Sequence, residues 1–142
     1  MYSEILAPVD LAHPETAKRM VTEAKALAEK TGSRLTLLNV VPAIPGFAAA
    51  ELPSGTIEKM ASDAESELHK LASDLGLDKS SRTMLRSGKP HSQILQVADE
   101  IGADLIVISS HQPGIEDYLL GSVASRVVRH AKCSVLVERQ VD

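Results

Sequence analysis

The sequence predicts an α/β fold, an open parallel sheet of five strands with helices on both faces. Three observations predict it. Short apolar, β-rich runs alternate with amphipathic helical patterns from end to end. The runs at 35–41 and 105–108 are apolar on both faces, the mark of strands covered on both sides. A chain of 142 residues, 44% hydrophobic and 24% charged, is enough for one domain with a self-sufficient core, spanning 1–142.

The first strand is the run Ile5, Leu6, Ala7, Pro8 and Val9, ending in Asp10. From Ala17 onward, Met20, Val21, Ala24, Leu27 and Ala28 recur at three- and four-residue steps, which is one helix face, and Gly32 stops it. Residues 35–41 form the second strand. A stretch punctuated by Pro42, Pro45, Gly46, Pro53 and Gly55 follows, and is read as a loop. Ile57, Met60, Ala61, Ala64, Leu68, Leu71 and Leu75 trace a second helix, closed by Gly76. Thr83, Met84 and Leu85 make a short third strand. After Gly88-Lys89-Pro90, the positions Ile94, Val97, Ala98 and Ile101 mark a third helix, stopped by Gly102. Residues 105–108 are the fourth strand. Gly121 and Ser122 open a fourth helix carrying Val123, Ala124, Val127, Val128 and Ala131 on one face, and Val135, Leu136 and Val137 close the chain as a fifth strand.

This βαβ alternation fits more than one doubly wound strand order. In each of them ligands sit beyond the carboxyl ends of the strands, at the topological switch point. For the order 3-2-1-4-5 the switch falls between strands one and four, which singles out residues 8–10 and the segment after Ile108.

Composition excludes several functions. The formal charge of −4 is wrong for a protein that grips nucleic-acid backbone by bulk charge. Aromatic content of 2% offers no platform on which bases could stack. No apolar run approaches the roughly 18–20 residues that cross a bilayer. The single Cys133 forms no internal disulfide and sits in no zinc-like spacing, so a reducing, cytoplasmic compartment is expected. The opening Met1-Tyr2-Ser3-Glu4 is unlike a secretory leader.

The chemistry is concentrated after the fourth strand, where the chain runs from Ser109, Ser110, His111 and Gln112 to Gly121, Ser122 and Val123. A small-residue loop that ends in Gly-Ser at a helix start suits an anion. Free N–H groups at a helix N-terminus carry partial positive charge, and glycine permits close approach. Ser122 serving only as an N-cap is the plainer alternative. The loop is neither G-x-x-x-x-G-K-[ST] nor G-x-G-x-x-G. His111 lacks a paired carboxylate or nucleophile, and no nucleophile elbow occurs, so a hydrolase or transferase is not expected.

The start Ile5-Leu6-Ala7-Pro8-Val9-Asp10, the Gly88-Lys89-Pro90 turn, the Ser110-His111 pair, the run Leu119-Leu120-Gly121-Ser122-Val123-Ala124 and the ending His130-Ala131-Lys132-Cys133-Ser134-Val135-Leu136-Val137 together resemble the universal stress protein family. The resemblance runs through the whole chain in order. It implies the 3-2-1-4-5 order of the adenine nucleotide alpha hydrolase-like fold and an adenine-nucleotide site, for ATP, ADP or AMP with or without Mg²⁺. By position, Pro8, Val9 and Asp10 match the strand end against the adenosine. Val40 and Val41 match the strand end whose backbone hydrogen-bonds the adenine edge, while Gly121, Ser122 and Val123 match the close of the phosphate loop. The resemblance also implies a homodimer paired through Val135, Leu136 and Val137.

Two departures stand out. Ser109 and Gln112 occupy the positions of the family's first two loop glycines, and the stretch from Gln112 to Gly121 is one residue short. The resulting expectation is a cytoplasmic, homodimeric, adenine-nucleotide-binding stress-response sensor or regulator without efficient catalysis. The alternative is a nucleotide-free homodimeric interaction module of the same fold. The greasy stretch at 42–55, with Phe47 in it, is a lid, a subunit contact or a loop packed on its own domain. Arg126, Arg129 and Lys89 are read as solvated, and Asp10 as a ligand contact in preference to a turn residue.

Overall fold

The computed structural model describes residues 1–110 and 120–139. Leu35, Thr36, Leu37, Leu38 and Asn39 are buried in succession, so side chains on both faces of this strand are covered. The elements run β1 (Glu4–Pro8), α1 (Pro14–Thr31), β2 (Arg34–Val41), α2 (Gly46–Ala49), α3 (Thr56–Asp74), β3 (Arg82–Ser87), α4 (Pro90–Ile101), β4 (Leu105–Ser109), α5 (Ser122–His130) and β5 (Ser134–Glu138). All pairings are parallel and the order is β3-β2-β1-β4-β5, as expected.

Alternate residues of each strand feed two cores. Ile5, Ala7, Leu35 and Leu37 pack with Met20, Val21 and Ala24 of α1 and with Leu68 and Leu71 of α3. Leu6, Leu38 and Ile106 point the other way, onto Ile94 and Val97 of α4 and Ala124 and Val127 of α5. A period of two along β1 therefore places α1 and α3 on one face and α4 and α5 on the other.

Boundaries moved for identifiable reasons. Helix α1 starts at Pro14, three residues before its first buried position, because proline fits the first helical turn, where an N–H has no partner. Gly32 and Gly102 close α1 and α4 with φ of 67° and 68°, a conformation glycine adopts without strain. Strand β3 extends from Arg82 to Ser87, carried by the full-length ladder with β2. The stretch read as a loop holds the single turn α2, none of whose residues is buried, and Phe47 on it is 80% exposed. Ile57 and Met60 are exposed as well, and burial of α3 begins only with Leu68 and Leu71, so its first turns carry an apolar stripe past the edge of the sheet core.

Candidate functional site

Strands β1 and β4 are neighbours, and the helices that follow them leave for opposite faces. A crevice must open at their carboxyl ends. It is a cavity of about 510 Å³, within the roughly 300–1,000 Å³ range of small-molecule sites. Pro8, Val9 and Asp10 form one side, Leu38, Asn39, Val40 and Val41 a second, and Ile108 and Ser109 a third. Thr16, Ala17 and Met20 of α1 close it on one face of the sheet, Pro90 and Ile94 of α4 on the other. Gly121, Ser122, Val123 and Ala124 bring the start of α5 to its edge. The walls are aliphatic, with no Phe, Tyr or Trp among the described lining residues.

The β2 backbone matters as much as its side chains. In a strand, successive residues turn their N–H and C=O to opposite sides. The ladder with β1 ends at the pair Pro8 and Leu38, after which the Val9 N–H donates to the Leu38 carbonyl at 2.7 Å. Val40 has the parity of Leu38, so its N–H and C=O face the space that β1 has vacated, on the cavity side. Val41 faces the other way, and its carbonyl accepts from the Gly88 N–H at 3.0 Å. Of the two valines expected to offer a hydrogen-bonding edge, Val40 alone has its backbone turned to the cavity. Val41 contributes wall.

Asn39, 8% exposed, is the buried polar residue of this wall, and its Nδ2 donates to the Val9 carbonyl at 2.9 Å. Asp10 lines the cavity but is engaged in the turn before α1. Its Oδ1 accepts from the Ala12 N–H at 3.0 Å and its Oδ2 meets His13 Nδ1 at 2.8 Å. Ligand contact was expected of Asp10 in preference to a turn role. The turn role is the one its hydrogen bonds fill, because an aspartate beyond a strand end satisfies the open amides ahead of a helix.

Gly121 is the N-cap of α5, in an extended conformation with φ of −64°, and as a glycine it brings no capping side chain of its own. Ser122 is therefore the first helical residue and not the cap. The amides of this first turn lack intrahelical acceptors and concentrate the positive end of the helix dipole at the cavity edge.

Nine of the twelve predicted site residues meet here: Pro8, Val9, Asp10, Val40, Val41, Ser109, Gly121, Ser122 and Val123. Ser110 does not. Its N–H donates to the Glu138 carbonyl at 3.0 Å, extending the β4–β5 pairing, and the residue is buried away from the cavity lining. His111 and Gln112 lie outside the described residues. Lys89, Arg126 and Arg129 are exposed and off the cavity. Among the described residues no three His, Cys, Asp or Glu side chains gather as a metal site. Only Pro42 of the greasy stretch reaches the wall, and α2 does not cover it. Sequence reasoning missed Asn39 and the α1 and α4 residues. Asn39 had a signal, the one side-chain amide in a largely apolar strand, whereas Thr16, Ala17 and Ile94 look like any helix face.

The universal stress protein family model matches residues 1–139. The chain is 34% identical to Universal stress protein G of Shigella flexneri, over 98% of this chain and all of that protein. Among solved structures, universal stress protein UspA from Lactobacillus plantarum superposes with a TM-score of 0.80 at 28% identity, covering 97% of this chain and 98% of that one. The same fold appears at 20% identity in a universal stress protein in complex with cAMP, with a TM-score of 0.74 over 99% of both chains. It appears again in the Archaeoglobus fulgidus protein in complex with dAMP, with a TM-score of 0.64, 20% identity and coverage of 96% and 97%. With its strand order, its switch-point cavity and a match along nearly its whole length, the chain belongs to the universal stress protein family.

Proposed function

We propose that this chain holds an adenine nucleotide (ATP, ADP or AMP) in the switch-point cavity, and acts as a stress-response sensor or regulator that retains the nucleotide without efficient turnover. One observation carries the reading. A single cavity runs from an aliphatic wall with an open backbone edge at Val40 to the N-terminus of α5. A purine offers flat apolar faces and a polar edge, and a phosphate seeks amides at a positive helix end. The cavity supplies these features in that order. Two structural neighbours bind adenine nucleotides, cAMP and dAMP, which supports the same ligand class here. With so few aromatic residues in the chain, aliphatic side chains and the strand backbone would hold the base.

Mg²⁺, when it accompanies a triphosphate, would enter on the phosphate oxygens, a common way for this ion to bind. The sequence from Ser109 to Ser122 carries no lysine to grip a phosphate, so retention of the ligand is favoured over hydrolysis. Among the described residues β5 pairs with β4 alone, and a homodimer through Val135, Leu136 and Val137 would cover its other side. The lone Cys133 agrees with a reducing, cytoplasmic setting.

The test is direct. The purified protein is denatured and its supernatant chromatographed for adenine nucleotides, and the stripped protein is then titrated with ATP and Mg²⁺. Co-purified nucleotide or saturable binding supports the reading. Neither, up to millimolar ATP, refutes it and leaves the nucleotide-free interaction module of the same fold.

A further inference from the structure

We propose that Asn39 is a specificity-determining residue of this cavity, accepting a hydrogen bond from the exocyclic amino group of the purine. The inference rests on the nucleotide reading above and names the feature of the base that is selected.

The argument begins with the orientation of the amide. Oxygen and nitrogen of an asparagine side chain are assigned from their partners. The partner here is the Val9 carbonyl, 2.9 Å away, which can only accept. The nitrogen therefore faces Val9, and Oδ1 is the end left over. That oxygen accepts no hydrogen bond among the described residues. It is not sealed in the core as an orphan either, because Asn39 lines the cavity. Solvent in the open cavity can serve this acceptor, and a ligand that displaces the solvent must bring a donor of its own, because an acceptor then buried without one is costly.

The neighbours decide which donor. Asn39 precedes Val40, whose backbone edge faces the same cavity, so the strand end presents the Val40 N–H and C=O with an amide oxygen beside them. An amino group on the base carries two N–H bonds and suits two acceptors. A 6-oxo purine would place an acceptor against acceptors. A purine lacking any 6-substituent would leave Asn39 Oδ1 unpaired. Sites built to hydrogen-bond one polar group reject analogues lacking it more strongly than apolar pockets reject a missing methylene.

The experiment compares AMP with purine riboside 5′-monophosphate, which lacks the amino group, on the full chain and on Asn39→Ala. The variant is expected to bind AMP roughly tenfold more weakly, the effect of one buried hydrogen bond, and to bind the analogue less than twofold more weakly. Equal losses for both ligands would overturn the proposal and leave Asn39 as a pin for the β1 end, with the nucleotide reading intact. A wild-type protein that binds neither ligand would refute both. Because Asn39→Ala also strips the Val9 carbonyl of its donor, a measurement on the wild type is made alongside. The Asn39 side-chain amide resonances in a ¹⁵N spectrum are expected to shift with AMP and to stay in place with the analogue. Identical shifts with the two ligands would overturn the proposal.

Discussion

The carboxylate of Asp10 joins His13 across the turn between β1 and α1, with Oδ2 2.8 Å from Nδ1, while its other oxygen takes the Ala12 N–H. This clasp sets the rim of the cavity. Asp10→Ala removes the acceptor of the Ala12 amide and the contact to His13 Nδ1, and is expected to cost about 1 kcal/mol, as for a lost helix-entry hydrogen bond. The variant should melt a few degrees below the wild type, on the order of 3–5 °C for a domain of this size. An unchanged melting temperature would show that the turn holds without the clasp.

Gly121 isolates the role of the α5 amides. Its φ of −64° is open to any L-residue, so Gly121→Val adds bulk at the helix entrance without backbone strain. Gly121 is buried, so the added side chain is expected to cost about 1–3 kcal/mol of stability, while affinity for ADP drops at least tenfold, because a branched side chain bars the phosphate from the first-turn amides. Calorimetric titration beside a urea melt separates the two effects. Wild-type affinity in a folded variant would move the phosphate elsewhere.

Among the described residues β5 pairs with β4 alone, which leaves its other edge for a second chain. Leu136 is 42% exposed on that edge. Leu136→Asp puts a charge where a second chain would pair and should turn a dimer into a monomer in light scattering coupled to size exclusion. Burying an unpaired carboxylate is costly, so the shift should be complete at micromolar protein. A variant that stays dimeric would place the interface on another surface.

Cys133 should be sluggish. Burial raises its thiol pKa above the ordinary value, and the carboxylates of Asp104 and Asp99 push the same way, against a smaller opposing backbone hydrogen bond. Only the thiolate reacts. Iodoacetamide should alkylate the folded protein more slowly than free cysteine at pH 8, with the rate still climbing as pH rises past 9. The raised pKa also has a sign for stability. The folded state keeps its proton longer than the unfolded chain, so the associated stability is full below the free-thiol value of 9.0 and declines as pH rises through it. Rapid alkylation at neutral pH would contradict this environment.

Much of the site was legible because it follows from topology. Residues 8–10 and 109 lie at strand ends next to the switch point, and those ends were set by where apolar runs stop. Other features depended on geometry that periodicity does not contain. That Val40 and not Val41 turns its backbone to the cavity depends on β1 ending at the level of Leu38 and on Gly88 reaching the Val41 carbonyl. Ser110 looked like loop and proved to extend the β4–β5 ladder. The stretch after Pro42 looked like loop too, and a single helical turn within it leaves Phe47 in solvent.

The sequence by itself determined the alternation of strands and helices, the two-sided burial of the central strands and the family. Each is a local or one-dimensional pattern: a period of two or of 3.6, or a motif in fixed order. Tertiary structure alone decided which groups face one another. Asn39 became a binding candidate only when the Val9 carbonyl claimed its nitrogen, and Asp10 became a clasp only when His13 closed over it. A side chain's donors and acceptors are fixed by its chemistry. Which of them remain free is set by partners that the chain brings in from elsewhere, 30 residues away in sequence for Asn39 and Val9.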